Sequence, residues 1–294
     1  MKLVSFGEPG RERIGIIDRG AQIADLAAVR PDWPGRWRAV LDAELLEELP
    51  GALREARERK ALVPLGSVRL GPPIVDPSKI IAIGLNYREH AREQNKQPPE
   101  KPLLFAKAPS CLIGPNDPIR LPDPSLEDHV DAEAELCVVI GRRAQRVSEA
   151  EAESCILGFT IMNDVSGRRA QYSDKQWFRG KSFDTFAPCG PWIVTRDELP
   201  DPSGLSLRAS WNHVTMQEGR TDDLIFSIAF LIAYASATMT LEPGDLISTG
   251  TPSGVGVFRD PPVFLKHGDT VRIDLEGIGS LINPVIVSPP EAHR

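Results

Sequence analysis

The sequence predicts an α+β chain that is mostly β-strand. Short alternating strands open it, apolar runs of strand length recur through residues 79–249, and turn signals rich in Gly and Pro separate them. A charged helical stretch near the N-terminus supplies much of the α content. At 294 residues, with 41% hydrophobic and 26% charged side chains, the chain can bury a substantial core, which excludes a disordered or fibrous protein. Lys and Arg number 34 against 41 Asp and Glu, a formal charge of −7, so no net positive field draws the chain to nucleic acid or anionic lipid. A small-molecule partner is expected, with no nucleic acid and no membrane.

Residues 2–6, 13–17 and 22–26 read as three short strands of a small N-terminal unit. Residues 37–60 follow as helix, with Leu41, Leu45, Leu46 and Leu49 at helical spacing; Pro50-Gly51 interrupts the pattern and predicts two short helices. Gly71-Pro72-Pro73 and Asp76-Pro77 mark a connection, so the expected domains are 1–72 and 73–294. Beyond it, 79–83 reads as a strand and 86–94 as a short helix, a junction from which side chains often point into a cleft. Residues 134–140, 156–162 and 245–249 read as buried strands, and 271–275 alternates, with Val271, Ile273 and Leu275 on one face.

The uncharged run 224–241 approaches the length of a membrane span. Ser227, Ser236, Thr238 and Thr240 interrupt it, and Asp222, Asp223 and Glu242 flank it without Lys or Arg, so a buried core helix is expected. Cys111, Cys137, Cys155 and Cys189 have no zinc-site spacing and read as reduced thiols. With no export signal behind Met1, a cytoplasmic protein is expected.

The segment Asp131-Ala132-Glu133-Ala134-Glu135-Leu136 carries the most chemistry. Strand periodicity puts Glu133 and Glu135 on one face, and the apolar run behind them implies burial. Two buried carboxylates repel each other and lose hydration, so protonation, pairing with Arg or Lys, or a divalent cation must neutralise them. Asp164 ends the next buried strand and offers a third carboxylate; three carboxylates without coordinating His or Cys favour Mg²⁺ or Mn²⁺ over zinc. The alternative is a solvated strand face with Asp164 capping a turn.

His90 and Glu93 are spaced i, i+3, so the carboxylate can orient the imidazole as a base, or the two form an ordinary surface pair like Glu89 with Arg92 and Glu93 with Lys96. Arg168, Gln171 and Lys181 follow Asp164 in a polar stretch, where an enclosed Lys181 could polarise a carbonyl or enolate, or else stand as a solvated loop lysine. The loop Thr249-Gly250-Thr251-Pro252-Ser253-Gly254-Val255-Gly256 lacks the Gly-Lys-Ser/Thr of a phosphate loop; its amides suit a carboxylate or enolate oxygen.

Together these segments resemble the fumarylacetoacetate hydrolase family over residues 79–287. The resemblance rests on Gly84-Leu85-Asn86-Tyr87-Arg88-Glu89-His90, Glu133-Ala134-Glu135-Leu136, Asn163-Asp164-Val165-Ser166, Gly180-Lys181-Ser182-Phe183-Asp184 and Thr249-Gly250-Thr251-Pro252, in that order. Through Lys175-Gln176-Trp177 and the run from Phe258 to Leu265 the chain resembles the domain-containing protein 2 branch of that family and its bacterial relatives. The resemblance implies a mixed β-sandwich or β-roll with a small N-terminal α+β domain, in a homodimer. It also implies Mg²⁺ or Mn²⁺ on Glu133, Glu135 and Asp164, a His90–Glu93 pair activating water, Lys181 as a catalytic cation, and Gln171, Arg168, Tyr87 and Thr251 around the substrate.

The activity so implied is metal-dependent hydrolysis of a C–C bond in a β-diketo or acylpyruvate-type acid through an enolate. The alternative is isomerisation, tautomerisation or decarboxylation of a 2-oxo dicarboxylate, and a non-catalytic scaffold is the reading from a different class. Two positions depart from the family pattern: Ala132 stands where an aromatic residue is usual, which would widen the pocket, and Arg169 where an acidic one is usual, which alters local charge.

Overall fold

The run Ala134–Ile140, apolar but for Glu135, becomes an interior strand of the larger of two facing sheets in the computed structural model, which describes residues 1–287. From edge to edge that sheet runs Leu62–Pro64, Gln22–Asp25, Arg13–Asp18, Lys2–Phe6, Ala187–Thr195, Ile156–Asn163, Ala134–Ile140, Leu246–Ser248, Ile80–Gly84 and Leu103–Lys107. Most neighbours are antiparallel, but Leu246–Ser248 runs parallel to Ile80–Gly84. Every residue of Ala134–Ile140 is buried, Glu135 included, as the apolar run Leu136–Ile140 leads one to expect of a strand covered on both faces.

A second, five-stranded sheet orders Val214–Arg220, Ser206–Trp211, Thr270–Leu275, Gly279–Val287 and Ile119–Leu121. It packs over the middle of the first, and Val271, Ile273 and Leu275 point into the shared core as their alternation predicts. Among the described residues the protein is therefore predominantly β with few helices, and besides its two mixed sheets it has a two-stranded ribbon, Val130–Asp131 with Ser166–Gly167.

The expected boundary near residue 72 falls in an irregular Pro-rich connection, while sheet hydrogen bonding passes across it. Lys2 pairs with Val194 and Leu3 with Ile193, and Leu3, Ile14, Leu136 and Phe159 belong to one continuous core. The helical stretch divides into Trp37–Asp42, a 3₁₀ turn at Leu45–Glu48, and Leu49–Glu58. Its break lies at Glu44, whose φ of 56° is left-handed, rather than at Pro50, which sits in the first turn of the second helix where no amide hydrogen is needed.

The uncharged segment yields a helix only over Ile228–Ser236, and Leu231, Ile232, Ala235 and Ser236 are its buried side. Phe226, Phe230 and Tyr234 stack along the other side at one-turn spacing, half-exposed. Among the described residues no helix is long and apolar enough to cross a membrane, and all four cysteines are free and buried.

Candidate active site

Strand register assembles the carboxylates. Ala134 faces Asn163 across the antiparallel pair, and the Asp164 amide donates to the Glu133 carbonyl at 2.9 Å, so the two strand ends deliver Glu133 and Asp164 side by side. Glu135, two residues into the strand, joins them on the same face. Glu133, Glu135 and Asp164 each offer an oxygen within 4.8 Å of the others, and their residues are only 6%, 1% and 0% exposed. The solvated-face alternative is thereby excluded.

Cations meet two of the three. Lys181 Nζ donates to Glu133 Oε2 at 2.7 Å and to Asp164 Oδ2 at 2.6 Å, and Lys107 Nζ donates to Asp164 Oδ1 at 2.6 Å. Arg168 Nη2 lies 2.7 Å from Glu133 Oε1. Burial works against the charge on Glu133, but Lys181 and Arg168 outweigh it and hold the carboxyl well below its usual range. Burial likewise opposes the Lys181 charge, and Asp164 and Glu133 reverse the balance and raise its pKa.

Glu135 has no cation partner. Burial first, then Asp164 and Glu133, push its carboxyl well above the ordinary range. Both its hydrogen bonds, from Ser248 Oγ at 2.6 Å and the Gly250 amide at 2.9 Å, go to Oε2 and leave Oε1 without a donor. Counting Asp131, the buried cluster has one more carboxylate than the cations Lys107, Arg168 and Lys181 can balance. Three converging oxygens, one of them undonated, in a pocket with excess negative charge fit a hard divalent cation.

His90 lies opposite on the short helix Arg88–Glu93 and is 6% exposed. Its Nδ1 meets Glu93 Oε2 at 2.9 Å, and Glu93 Oε1 accepts from the Gly254 amide at 2.8 Å. The helix starts abruptly after its strand because Leu85 takes a left-handed φ of 54° and Asn86 ties the corner down. Asn86 Nδ2 donates to the Thr249 carbonyl at 2.8 Å and its Oδ1 accepts from the Phe226 amide at 2.8 Å.

The Gly-rich loop binds carboxylates as expected, but the carboxylates are the chain's own. The Gly250 amide holds Glu135, Gly254 holds Glu93, and Gly256 and Val257 hold Asp131 at 3.0 Å each. One loop thus sets three functional side chains. Asp131, fully buried, also receives Arg168 Nη2 at 2.7 Å, and Arg168 Nη1 donates to Gln171 Oε1 at 2.9 Å.

The structure brings His90, Glu133, Glu135, Lys181, Arg168, Gln171 and Thr251 onto one pocket wall; Glu93 supports His90 and Asp164 supports Lys181 from behind. Tyr87 does not line that pocket: it is fully buried, its hydroxyl lacks a partner, and burial, then Glu135, raises its pKa. Ala132 is buried off the pocket wall, and Arg169 pairs outward with Asp128 at 2.8 Å, so neither departure from the family pattern reshapes the site. Lys96 bonds Gln94 Oε1 at 2.8 Å rather than Glu93.

Sequence reasoning missed Lys107, Ser248 and the roles of Asp131, Gln94 and Trp177. Lys107 carries no local signal: its edge strand pairs only with Ile80–Gly84, and the fold as a whole brings its ammonium to Asp164. The cavity is small, about 60 Å³. Trp177 packs edge-on to Phe105, with ring centroids 5.1 Å apart, and lies so close to Gly84 that a Cβ there would stand 2.6 Å from its ring.

Residues 79–286 match the model of the fumarylacetoacetate (FAA) hydrolase C-terminal family. The chain is 43% identical to the oxaloacetate tautomerase fahd2, mitochondrial, of Xenopus laevis, over 97% of this chain and 90% of that protein. A solved 5-carboxymethyl-2-hydroxymuconate delta-isomerase from Mycobacterium smegmatis is 40% identical, with a TM-score of 0.77 over 98% of this chain and 100% of that one. A maleylpyruvate hydrolase from Sphingobium sp. SYK-6, solved with manganese(II) and pyruvate, is 33% identical, with a TM-score of 0.78 over the same shares. With the two-sheet fold and the buried acidic cluster beside His90, these likenesses establish that the chain belongs to the fumarylacetoacetate hydrolase family.

Proposed function

We propose that the protein performs divalent-metal-dependent enolate chemistry on a short 2-oxo dicarboxylic acid, with keto–enol exchange of an oxaloacetate-type substrate as its reaction. The observation that carries this reading is the convergence of Glu133, Glu135 and Asp164, one oxygen of each within 4.8 Å of the others, beside a His90 whose Nδ1 is held by Glu93 in a pocket also lined by Lys181 and Arg168. That arrangement can polarise a carbonyl and move one proton without an attacking water. This reverses the order expected from the sequence, where C–C hydrolysis came first. Two relatives point the same way by name, one a tautomerase and one an isomerase.

Glu133, Glu135 and Asp164 would hold the cation, Mg²⁺ or Mn²⁺, which supplies a Lewis acid that lowers the cost of enolate charge. Lys181, with two of its three N–H bonds on Glu133 and Asp164, keeps one to offer a developing oxyanion. Asp131 and Glu133 fix the guanidinium of Arg168 and, through it, Gln171, so these donors meet substrate already oriented. His90, with Nδ1–H directed at Glu93, takes a proton from the substrate's methylene carbon on Nε2; a proton returned to the carbonyl oxygen completes the enol and nothing leaves.

Hydrolysis is the second reading, favoured by the named maleylpyruvate hydrolase. There His90 would take a proton from water, the hydroxide oxygen would bond to the remote carbonyl carbon, and the C–C bond's electrons would stay on the departing enolate. Incubation with oxaloacetate and with an acylpyruvate, with Mn²⁺ and then with EDTA, decides between them. We expect accelerated loss of enol absorbance with no change of mass, abolished by chelation. Two products from the acylpyruvate at higher kcat/KM would replace this reading with hydrolysis, and no acceleration of either would end both.

The aromatic wall sets a second expectation. Trp177→Ala should shift the kcat/KM ratio by about tenfold toward a longer acid over oxaloacetate, because a few methylenes of pocket length discriminate by that order. An unchanged ratio would show that Trp177 does not limit substrate length.

A further inference from the structure

We propose that Gln94 and Lys96 form a substrate-triggered gate on His90, in which a distal substrate carboxylate takes their hydrogen bonds and so frees the imidazole nitrogen that moves the proton. The inference rests on the functional reading above and deepens it. Gln94 Nε2 lies 2.8 Å from His90 Nε2, and Lys96 Nζ donates to Gln94 Oε1 at 2.8 Å. The second contact fixes which end of the amide is oxygen, so the end facing His90 is the NH₂ donor. With Nδ1 directed at Glu93, the lone pair of Nε2 is therefore occupied by an amide hydrogen. An imidazole held this way can accept no proton from carbon or water until Gln94 lets go.

The same residues supply the release. His90, Gln94 and Lys96 all line the active pocket. Arg168 and Lys181, the other cations there, are each paired with buried carboxylates, whereas Lys96 makes no ion pair among the described residues. A carboxylate arriving on this side meets an ammonium without a counter-charge and an amide N–H, and it is a stronger acceptor for both than the imidazole or the Gln94 carbonyl. A 2-oxo acid with a second carboxylate opens the gate, and one ending in methyl does not. Proton abstraction is then confined to the diacid.

Two measurements test this, one independent of turnover. Carbethoxylation of His90 by diethyl pyrocarbonate, followed by peptide mass spectrometry, reads whether Nε2 is free. We expect slow modification in the parent protein and modification about tenfold faster in Gln94→Leu, the scale of one lost hydrogen bond. Lys96→Ala, at an exposed position, should lower kcat/KM for oxaloacetate about tenfold. Gln94→Leu, which removes the hydrogen bond on His90 Nε2, should raise C3 proton exchange of 2-oxobutyrate in D₂O about tenfold above the near-background rate of the parent. An unchanged His90 modification rate in Gln94→Leu, or 2-oxobutyrate exchange in that variant no faster than in the parent, would overturn the gate. Parent-level turnover in His90→Ala would instead overturn the functional reading, and the modification rate keeps the two failures apart.

Discussion

Glu135→Gln is expected to remove turnover by about a thousandfold or more while leaving the fold in place. Glutamine keeps the volume, and its carbonyl can still accept from Ser248 and the Gly250 amide, so packing is preserved. What disappears is the one carboxylate of the cluster that no cation of the chain neutralises. Without added metal the variant should be at least as stable as the parent at neutral pH. The sign follows from linkage: burial, with Asp164 and Glu133, raises the Glu135 pKa, so above the ordinary carboxylate range the folded chain keeps a proton that the unfolded chain has lost. Parent stability should therefore fall as pH rises through that window, and the glutamine variant should fall less. Mn²⁺ at a hundred times its Kd should stabilise the parent by about 2.7 kcal/mol and the variant by far less. Equal stabilisation in both, read by urea unfolding, would remove Glu135 from the ligand set.

Asp131→Ala is expected to cost about 3–5 kcal/mol of stability, the largest structural effect of any single change at the site. The carboxylate is fully buried and takes hydrogen bonds from the Ala132, Gly256 and Val257 amides and from Arg168. Its loss strands these donors and leaves a buried guanidinium with Glu133 alone. Urea midpoints of Asp131→Ala, Arg168→Met and the double variant form the check. The double variant should be less destabilised than the sum of the singles, because removing both ends leaves no unpaired charge. Strict additivity would mean that Asp131 and Arg168 do not act as a pair.

Much of this centre is legible in the sequence because a strand's period of two forces Glu133 and Glu135 to one face, and an apolar run behind them forces burial. Asp164 is legible as the end of the next apolar run. That it meets Glu133 follows from antiparallel register, which single-strand patterns do not encode. Lys107 is the clearest omission: it sits on the edge strand Leu103–Lys107, and nothing nearby in sequence distinguishes it from a surface lysine. The Gly-rich loop is legible from composition, but its amides hold internal carboxylates that only folding brings near. The place of Pro50 is not legible, because proline breaks a helix interior yet suits a first turn, and local pattern does not say which turn it occupies.

The pairing of Lys2–Phe6 with Ala187–Thr195 has a consequence for any shortened form of the chain. A fragment beginning near residue 73 would expose the unpaired backbone groups of Ile193 and Val194 together with the apolar side chains that Leu3 now covers. Bare strand margins of this kind recruit other strands, and the fragment would associate through them rather than persist as a soluble catalyst. The opening strands, remote from His90 and Glu135 in sequence, thus act as a guard against aggregation.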